Sequence, residues 1–149
     1  MEILTQSASE TKSLGAKVAS GLKPNNTKAT VIAISGNLGS GKTTFVQGFA
    51  EGLGITTRII SPTFILMRSY KVENKEGFNT LYHLDLYRLE GDVKSQVLNL
   101  GFEEIIQDPK NIVLIEWAEK MENGFSWDTW IEFQRKTENE RLVIMKDKI

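Results

Sequence analysis

One short run limits what this chain can fold into. Gly36-Asn37-Leu38-Gly39-Ser40-Gly41-Lys42-Thr43 fits the pattern G-x-x-x-x-G-K-[ST] without a gap. Before it, Thr30-Val31-Ile32-Ala33-Ile34 is nearly all apolar, as a strand buried on both faces must be. After it, Phe45, Phe49 and Leu53 recur at helical spacing from Lys42 to Leu53, and Gly54 stands where a helix-ending glycine belongs. A strand, a glycine-rich turn and a helix make a phosphate cradle. Glycines let successive backbone N–H groups turn inward, and the helix N-terminus adds its positive dipole end. Lys42 is placed to reach the β- and γ-phosphates of a nucleotide. The Thr43 hydroxyl is placed to ligate Mg²⁺, and Thr44 to meet the α-phosphate. The alternative, a chance motif in a Gly-rich turn, is disfavoured by the flanking strand and helix.

The 149 residues suit one domain, 1–149. A chain this long buries about 68–70% of its unfolded surface and needs no disulfide or metal to fold. Lys plus Arg number 18 and Asp plus Glu 19, and the pI is about 5.9. That balance argues against a strongly basic nucleic-acid binder, while leaving binding through a partner open. There is no cysteine, so disulfides, thiolate catalysis and Cys-ligated zinc are excluded. One histidine, His83, excludes a His-rich metal centre. No apolar run approaches the ~20 residues of a membrane span, and Met1 to Glu10 does not read as a secretory signal. The expectation is a soluble cytoplasmic protein with no membrane contact.

Elsewhere the pattern predicts an α/β domain: a P-loop NTPase-type fold with a mixed, mainly parallel sheet, flanking helices and antiparallel hairpin additions. Ser7 and Glu10 have capping-box spacing, and Leu14, Val18 and Leu22 then mark one helix face. Gly21 and Pro24 end it. Phe64 to Lys71 and Thr80 to Leu86 read as a hairpin around Glu73 to Gly77. Leu98 to Gln107 reads as one short helix stopped by Asp108-Pro109. Ile112 to Ile115 is a second all-apolar strand, and residues 121–128 read as irregular. Thr129 to Arg135 and Arg141 to Met145 read as a last hairpin. The expected order is α-β-α-β-β-α-β-β-β.

A site of this kind needs a second acid for Mg²⁺, held directly or through water. Glu116 ends the strand Ile112 to Ile115, and Asp85 ends Leu81 to Leu84. Glu116 has the cleaner context, and either acid is a candidate to orient an attacking water. Ser61-Pro62-Thr63 reads equally as a switch that meets the γ-phosphate side or as an ordinary turn. A lone histidine such as His83 is more often a hydrogen-bonded structural residue than a ligand. Trp117 is a candidate for core or partner surface. Trp127, Trp130 and Phe133 read as packing.

Among P-loop classes, the chain lacks an Asn-Lys-x-Asp run for guanine, since Asn74-Lys75-Glu76-Gly77 does not fit. Arg58, Arg68 and Arg88 do not form an obvious cationic lid, which small-molecule kinases generally need. An ATPase acting on partner proteins remains. The alternatives are a small kinase for a metabolite or protein, and a nucleotide-gated assembly module.

Taken together, the motifs resemble one family. Gly36 to Thr44, Ser61-Pro62-Thr63-Phe64, His83-Leu84-Asp85-Leu86-Tyr87-Arg88-Leu89, Leu100-Gly101-Phe102-Glu103-Glu104 and Ile115-Glu116-Trp117, in that order, resemble the bacterial TsaE (YjeE) family. Its members are ATPases of tRNA threonylcarbamoyladenosine biosynthesis. The likeness runs from about Ser9 to Met145. It implies ATP in the loop, with ADP as product, contacts from Asn37, Leu38, Gly39, Ser40, Gly41, Lys42, Thr43 and Thr44, and Mg²⁺ held by Thr43 and Glu116. It also implies that Thr11 lies against the nucleotide, although the bare pattern makes it a helix-surface residue. Catalytic roles fall to Lys42, Asp85 and Glu116, and Ser61-Pro62-Thr63 matches the switch segment. Trp117 matches a family tryptophan. Ala118 stands where Pro is common, and Ser40 where Ala is common. The implied partners are TsaD, the transferase, and TsaB, its pseudo-enzyme companion. ATP binding favours their assembly and hydrolysis resets it. The tRNA, modified at adenosine 37, is held mainly by those partners.

Overall fold

The fold is described from a computed structural model covering residues 1–59, 66–122 and 124–148. Seven strands form one sheet: β1 (Glu2–Thr5), β2 (Thr30–Gly36), β3 (Met67–Lys71), β4 (Thr80–Asp85), β5 (Asn111–Glu116), β6 (Thr129–Arg135) and β7 (Arg141–Asp147). Their spatial order is β1-β7-β6-β2-β5-β4-β3. The central strands β6, β2, β5 and β4 run parallel. The outer pairs β1–β7, β6–β7 and β3–β4 are antiparallel. The expected mixed sheet is therefore present, parallel in its centre and antiparallel at both sides, with β6 joining the parallel core as well as its hairpin.

The two all-apolar strands lie side by side and fully inside. Every residue of β5 is buried, as is every residue of β2 before Gly36. Side chains alternate between two cores because strand residues alternate faces. One face collects Ile32, Ile34, Leu81, Ile112 and Leu114 under the helices α1 (Ala8–Ser20) and α2 (Lys42–Gly52). The other collects Val31, Ala33, Leu84, Val113 and Ile115. It is covered by α3 (Val93–Leu98), α4 (Phe102–Ile106) and a 3₁₀ turn at Ala118–Met121.

The predicted α1 face packs on the core, and a stripe of smaller residues beside it lies deeper. Thr11, Gly15 and Ala19 are its buried residues, while Leu14, Val18 and Leu22 flank the core half-buried. Small residues let the two backbones approach. A Cβ on Gly48 of α2 would collide with the Lys12 carbonyl, and one on Gly52 would sit 2.6 Å from the Ala16 carbonyl oxygen. The cap of α1 is as predicted: Ser7 Oγ accepts from Glu10 N–H at 3.1 Å, and Glu10 Oε2 accepts from Gln6 N–H at 3.0 Å.

Three elements depart from the expectation. Strand β1 is additional, a four-residue edge strand zipped to β7. The single helix expected over Leu98 to Gln107 is two short ones, because Gly101 takes a left-handed φ of 84° between them. The first begins earlier, at Val93, capped by Asp92, whose carboxylate accepts from Ser95 N–H and Ser95 Oγ–H. The 3₁₀ turn after β5 is the third. The hairpin β3–β4 is as expected from Met67 onward, and Phe64 lies outside the described residues.

Candidate nucleotide site

Strand alternation decides which side chains can meet. In the register of the parallel sheet Asp85 pairs with Glu116, and Ile34 pairs with Glu116 from the other side. Glu116 shares a face with Leu114, and Asp85 and His83 share a face with Leu81. That is the face of α2, so all three side chains lie on the side where Lys42 begins the helix. Ligands of open α/β sheets bind outside the carboxyl ends of the strands, which is where β2, β5 and β4 end here.

The loop from Gly36 to Gly41 is built for close approach. Gly36 has φ 141°, and a Cβ there would lie 2.7 Å from the Phe133 carbonyl oxygen. Gly41 caps α2 with φ 100°, a conformation that strains any residue with a side chain. Lys42 is 6% exposed. Its Nζ donates to the carbonyl of Gly36, and to that of Asn37 at 3.0 Å. The same ammonium lies 4.2 Å from the centre of the Trp117 ring. Burial lowers the Lys42 pKa below its ordinary value, opposed by the negative charges of Glu116, Glu119 and Asp85.

A cavity of about 360 Å³ opens here. The P-loop residues Leu38 to Thr44, Asp85, Glu116 and Trp117 all line it. Asn37 does not; it lines an adjoining cavity on the other side of the loop. Glu116 is 4% exposed, and its Oε2 lies 2.6 Å from Nε2 of the buried His83. Thr11 is buried rather than on the helix surface. It lines a second, smaller cavity beside Gly41 and Thr44, and its hydroxyl lies 2.7 Å from that of Thr5. Ser61, Pro62 and Thr63 lie outside the described residues.

Trp117 is one of two non-glycine residues with positive φ, at 59° among the described residues. This turns its ring back over Lys42 and against Tyr87, 5.0 Å between ring centres. Ala118 is buried at the first position of the 3₁₀ turn, directly after the left-handed Trp117. Lys120 Nζ donates to the carbonyls of Tyr87 and Leu89, tying the loop after β4 to the turn after β5.

Arg141 was not singled out from the sequence, and Arg88 was weighed there only as one of three scattered arginines. Arg88 lines the main cavity, and Arg141, at the start of β7, lines both. The Arg141 stem packs beside Gly41, and its guanidinium donates to the carbonyls of Thr137, Glu138 and Glu140. Of the three arginines weighed from sequence Arg88 reaches the main cavity, whereas Arg58 lines a remote one and Arg68 sits on β3. Arg141 carries no motif; only its place in a hairpin folded back onto the loop brings it here.

The likeness to known proteins is as specific as the geometry. The family model for threonylcarbamoyl adenosine biosynthesis protein TsaE matches residues 5–143. The chain belongs to the TsaE family. The tRNA threonylcarbamoyladenosine biosynthesis protein TsaE of Bacillus subtilis is 39% identical over 140 residues, covering 93% of this chain and 80% of that one. Its counterpart in Nostoc is 50% identical over 98 residues, covering 64% of this chain and 56% of that one. The chain thus spans between about half and four fifths of these relatives. The crystal structure of YdiB from Bacillus subtilis superposes with a TM-score of 0.68 at 34% identity, over 96% of this chain and 82% of that one. Among the described residues no helix is long and apolar enough to cross a membrane.

Proposed function

We propose that this TsaE-family chain is a Mg²⁺-dependent ATPase that serves threonylcarbamoyladenosine formation at adenosine 37 of tRNA, acting with TsaD and TsaB. One observation carries the reading. Adjacent parallel strands β2 and β5 bring the Lys42 loop and the Glu116 carboxylate to one cavity, the layout that phosphoryl transfer from a nucleoside triphosphate requires.

Each residue then has a task. The loop N–H groups bind the phosphates of ATP, and Lys42 exchanges its carbonyl partners for phosphate oxygens. Among the described residues no cluster of three or more acidic, histidine or cysteine side chains gathers as an all-protein metal cage. That suits Mg²⁺, which takes one or two protein oxygens and fills its shell with phosphate and water. Thr43 and Glu116 line the cavity and fit that donor set. Bound there, the ion would offset charge on the β- and γ-phosphates. Asp85 or Glu116 orients the attacking water, and no covalent intermediate is needed. Thr11 and Thr44 flank the nucleotide on the α1 side. ATP binding then favours assembly with TsaD and TsaB, and hydrolysis to ADP resets it. The chain's near-neutral charge fits a protein that leaves tRNA to its partners.

The test is reconstitution. Purified TsaD and TsaB, a substrate tRNA and a threonylcarbamoyl donor are incubated with this chain, and modified adenosine is counted by mass spectrometry. Sustained modification is expected with the wild-type chain and not with Glu116→Gln. Equal yields with and without the chain would contradict the proposal.

A further inference from the structure

His83 is the most buried titratable side chain, 1% exposed, among the described residues. It sits two residues before Asp85 on β4, opposite Leu114 and diagonal to Glu116 on β5. Its Nε2 lies 2.6 Å from Glu116 Oε2, and its Nδ1 has no hydrogen-bond partner among the described residues. An ionised carboxylate only accepts hydrogen bonds, so Nε2 is the donor. It is the one hydrogen bond that the His83 ring makes among the described residues. A histidine kept for the core would satisfy both nitrogens or be replaced by an apolar residue, because an unpaired buried polar atom is costly.

Glu116 has a reason to need it. Its carboxylate is buried beside Asp85, its neighbour in the sheet register, and one of its two oxygens must stay available to the cavity it lines. A glutamate has three side-chain torsions, so without an anchor the head group has several places to go. We propose that His83 is a positioning residue: by holding Oε2 it fixes the Glu116 carboxylate so that Oε1 faces the metal and water side of the site. The inference rests on the nucleotide reading above. Outer partners of metal-ligating carboxylates commonly matter about 10–100-fold in metal affinity or activity.

The experiment measures how much Mg²⁺ tightens ADP binding, by calorimetry in excess EDTA and in excess Mg²⁺, for wild type, His83→Leu, His83→Asn and His83→Gln. The glutamine amide can reach the place of Nε2, whereas the asparagine amide is too short. His83→Leu and His83→Asn are expected to lose about 10-fold of the Mg²⁺-linked tightening, with affinity in EDTA unchanged. His83→Gln is expected to keep most of it. In a Glu116→Gln background His83→Asn should cost nothing further, since its target has gone. If His83→Leu does not fold, the Asn and Gln pair carries the comparison. A variant that only lowers Tm while Mg²⁺ tightens ADP as in wild type would overturn the inference, as would full additivity with Glu116→Gln. A wild-type chain that binds no ADP even in Mg²⁺ would overturn the nucleotide reading and this inference with it. Binding whose Mg²⁺ dependence ignores His83 would overturn the inference alone.

Discussion

Lys42 Nζ lies 4.2 Å from the centre of the Trp117 ring. The contact joins the loop after β2 to the turn after β5, the two sides of the cavity. It exists because Trp117 adopts a left-handed backbone, at a cost of roughly 1–2 kcal/mol for a residue with a side chain. Seating a nucleotide phosphate on Lys42 draws the ammonium away from that ring. Intrinsic fluorescence should therefore change when ADP is added. The change should vanish in Trp117→Phe, although Trp127 and Trp130 remain. An unchanged signal in wild type at saturating ADP would contradict the coupling.

Lys42→Ala removes the cation that the phosphates replace its carbonyl partners to reach. Charge-assisted hydrogen bonds are worth about 1.5–3 kcal/mol, so ATP affinity should fall by about one to two orders of magnitude. Circular dichroism should show the fold retained. Calorimetry on the folded variant decides it.

Gly48→Ala tests the α1–α2 contact. Its new Cβ would run into the backbone carbonyl of Lys12, so the helices must part. Overpacking of this kind costs about 1–3 kcal/mol, read as a Tm several degrees lower. Gly39→Ala is the useful contrast, because a Cβ there meets nothing within 4 Å. It should show only the backbone strain of its left-handed φ of 75°.

These three contacts also show where sequence reading reaches and where it stops. The P-loop and the strands β2 and β5 were legible because each is local: a fixed spacing, or an unbroken apolar run. Glu116 and Asp85 were legible as strand-terminal acids, but their pairing across β4 and β5 is set by sheet register. Strand β1 was not legible, since Glu2 to Thr5 is short and lies half exposed at an edge. The leucine face of α1 was legible and does pack on the core, but the closer approach by Gly15 and Ala19 was not. Arg141 was missed because nothing near it in sequence marks it; the β6–β7 hairpin carries it onto the loop.

Asp92 offers a pH test away from the site. Its hydrogen bonds from Ser95 hold its carboxyl pKa below the ordinary value. A carboxyl whose folded pKa is depressed contributes stability above its unfolded pKa and loses it as pH falls through the folded one. Asp92→Ala should lower Tm at neutral pH. The gap to wild type should close as the solution is acidified below about 3.8, the ordinary value for Asp. A gap independent of pH would show that the cap's charge contributes nothing.

The most direct measurement is phosphate release from Mg-ATP by the purified chain, alone and with TsaD and TsaB, with Lys42→Ala as the blank. Slow release alone, strong stimulation by the partners and neither in Lys42→Ala is the predicted result. Confirmed ATP binding with no stimulation, or equal release by Lys42→Ala, would contradict the account.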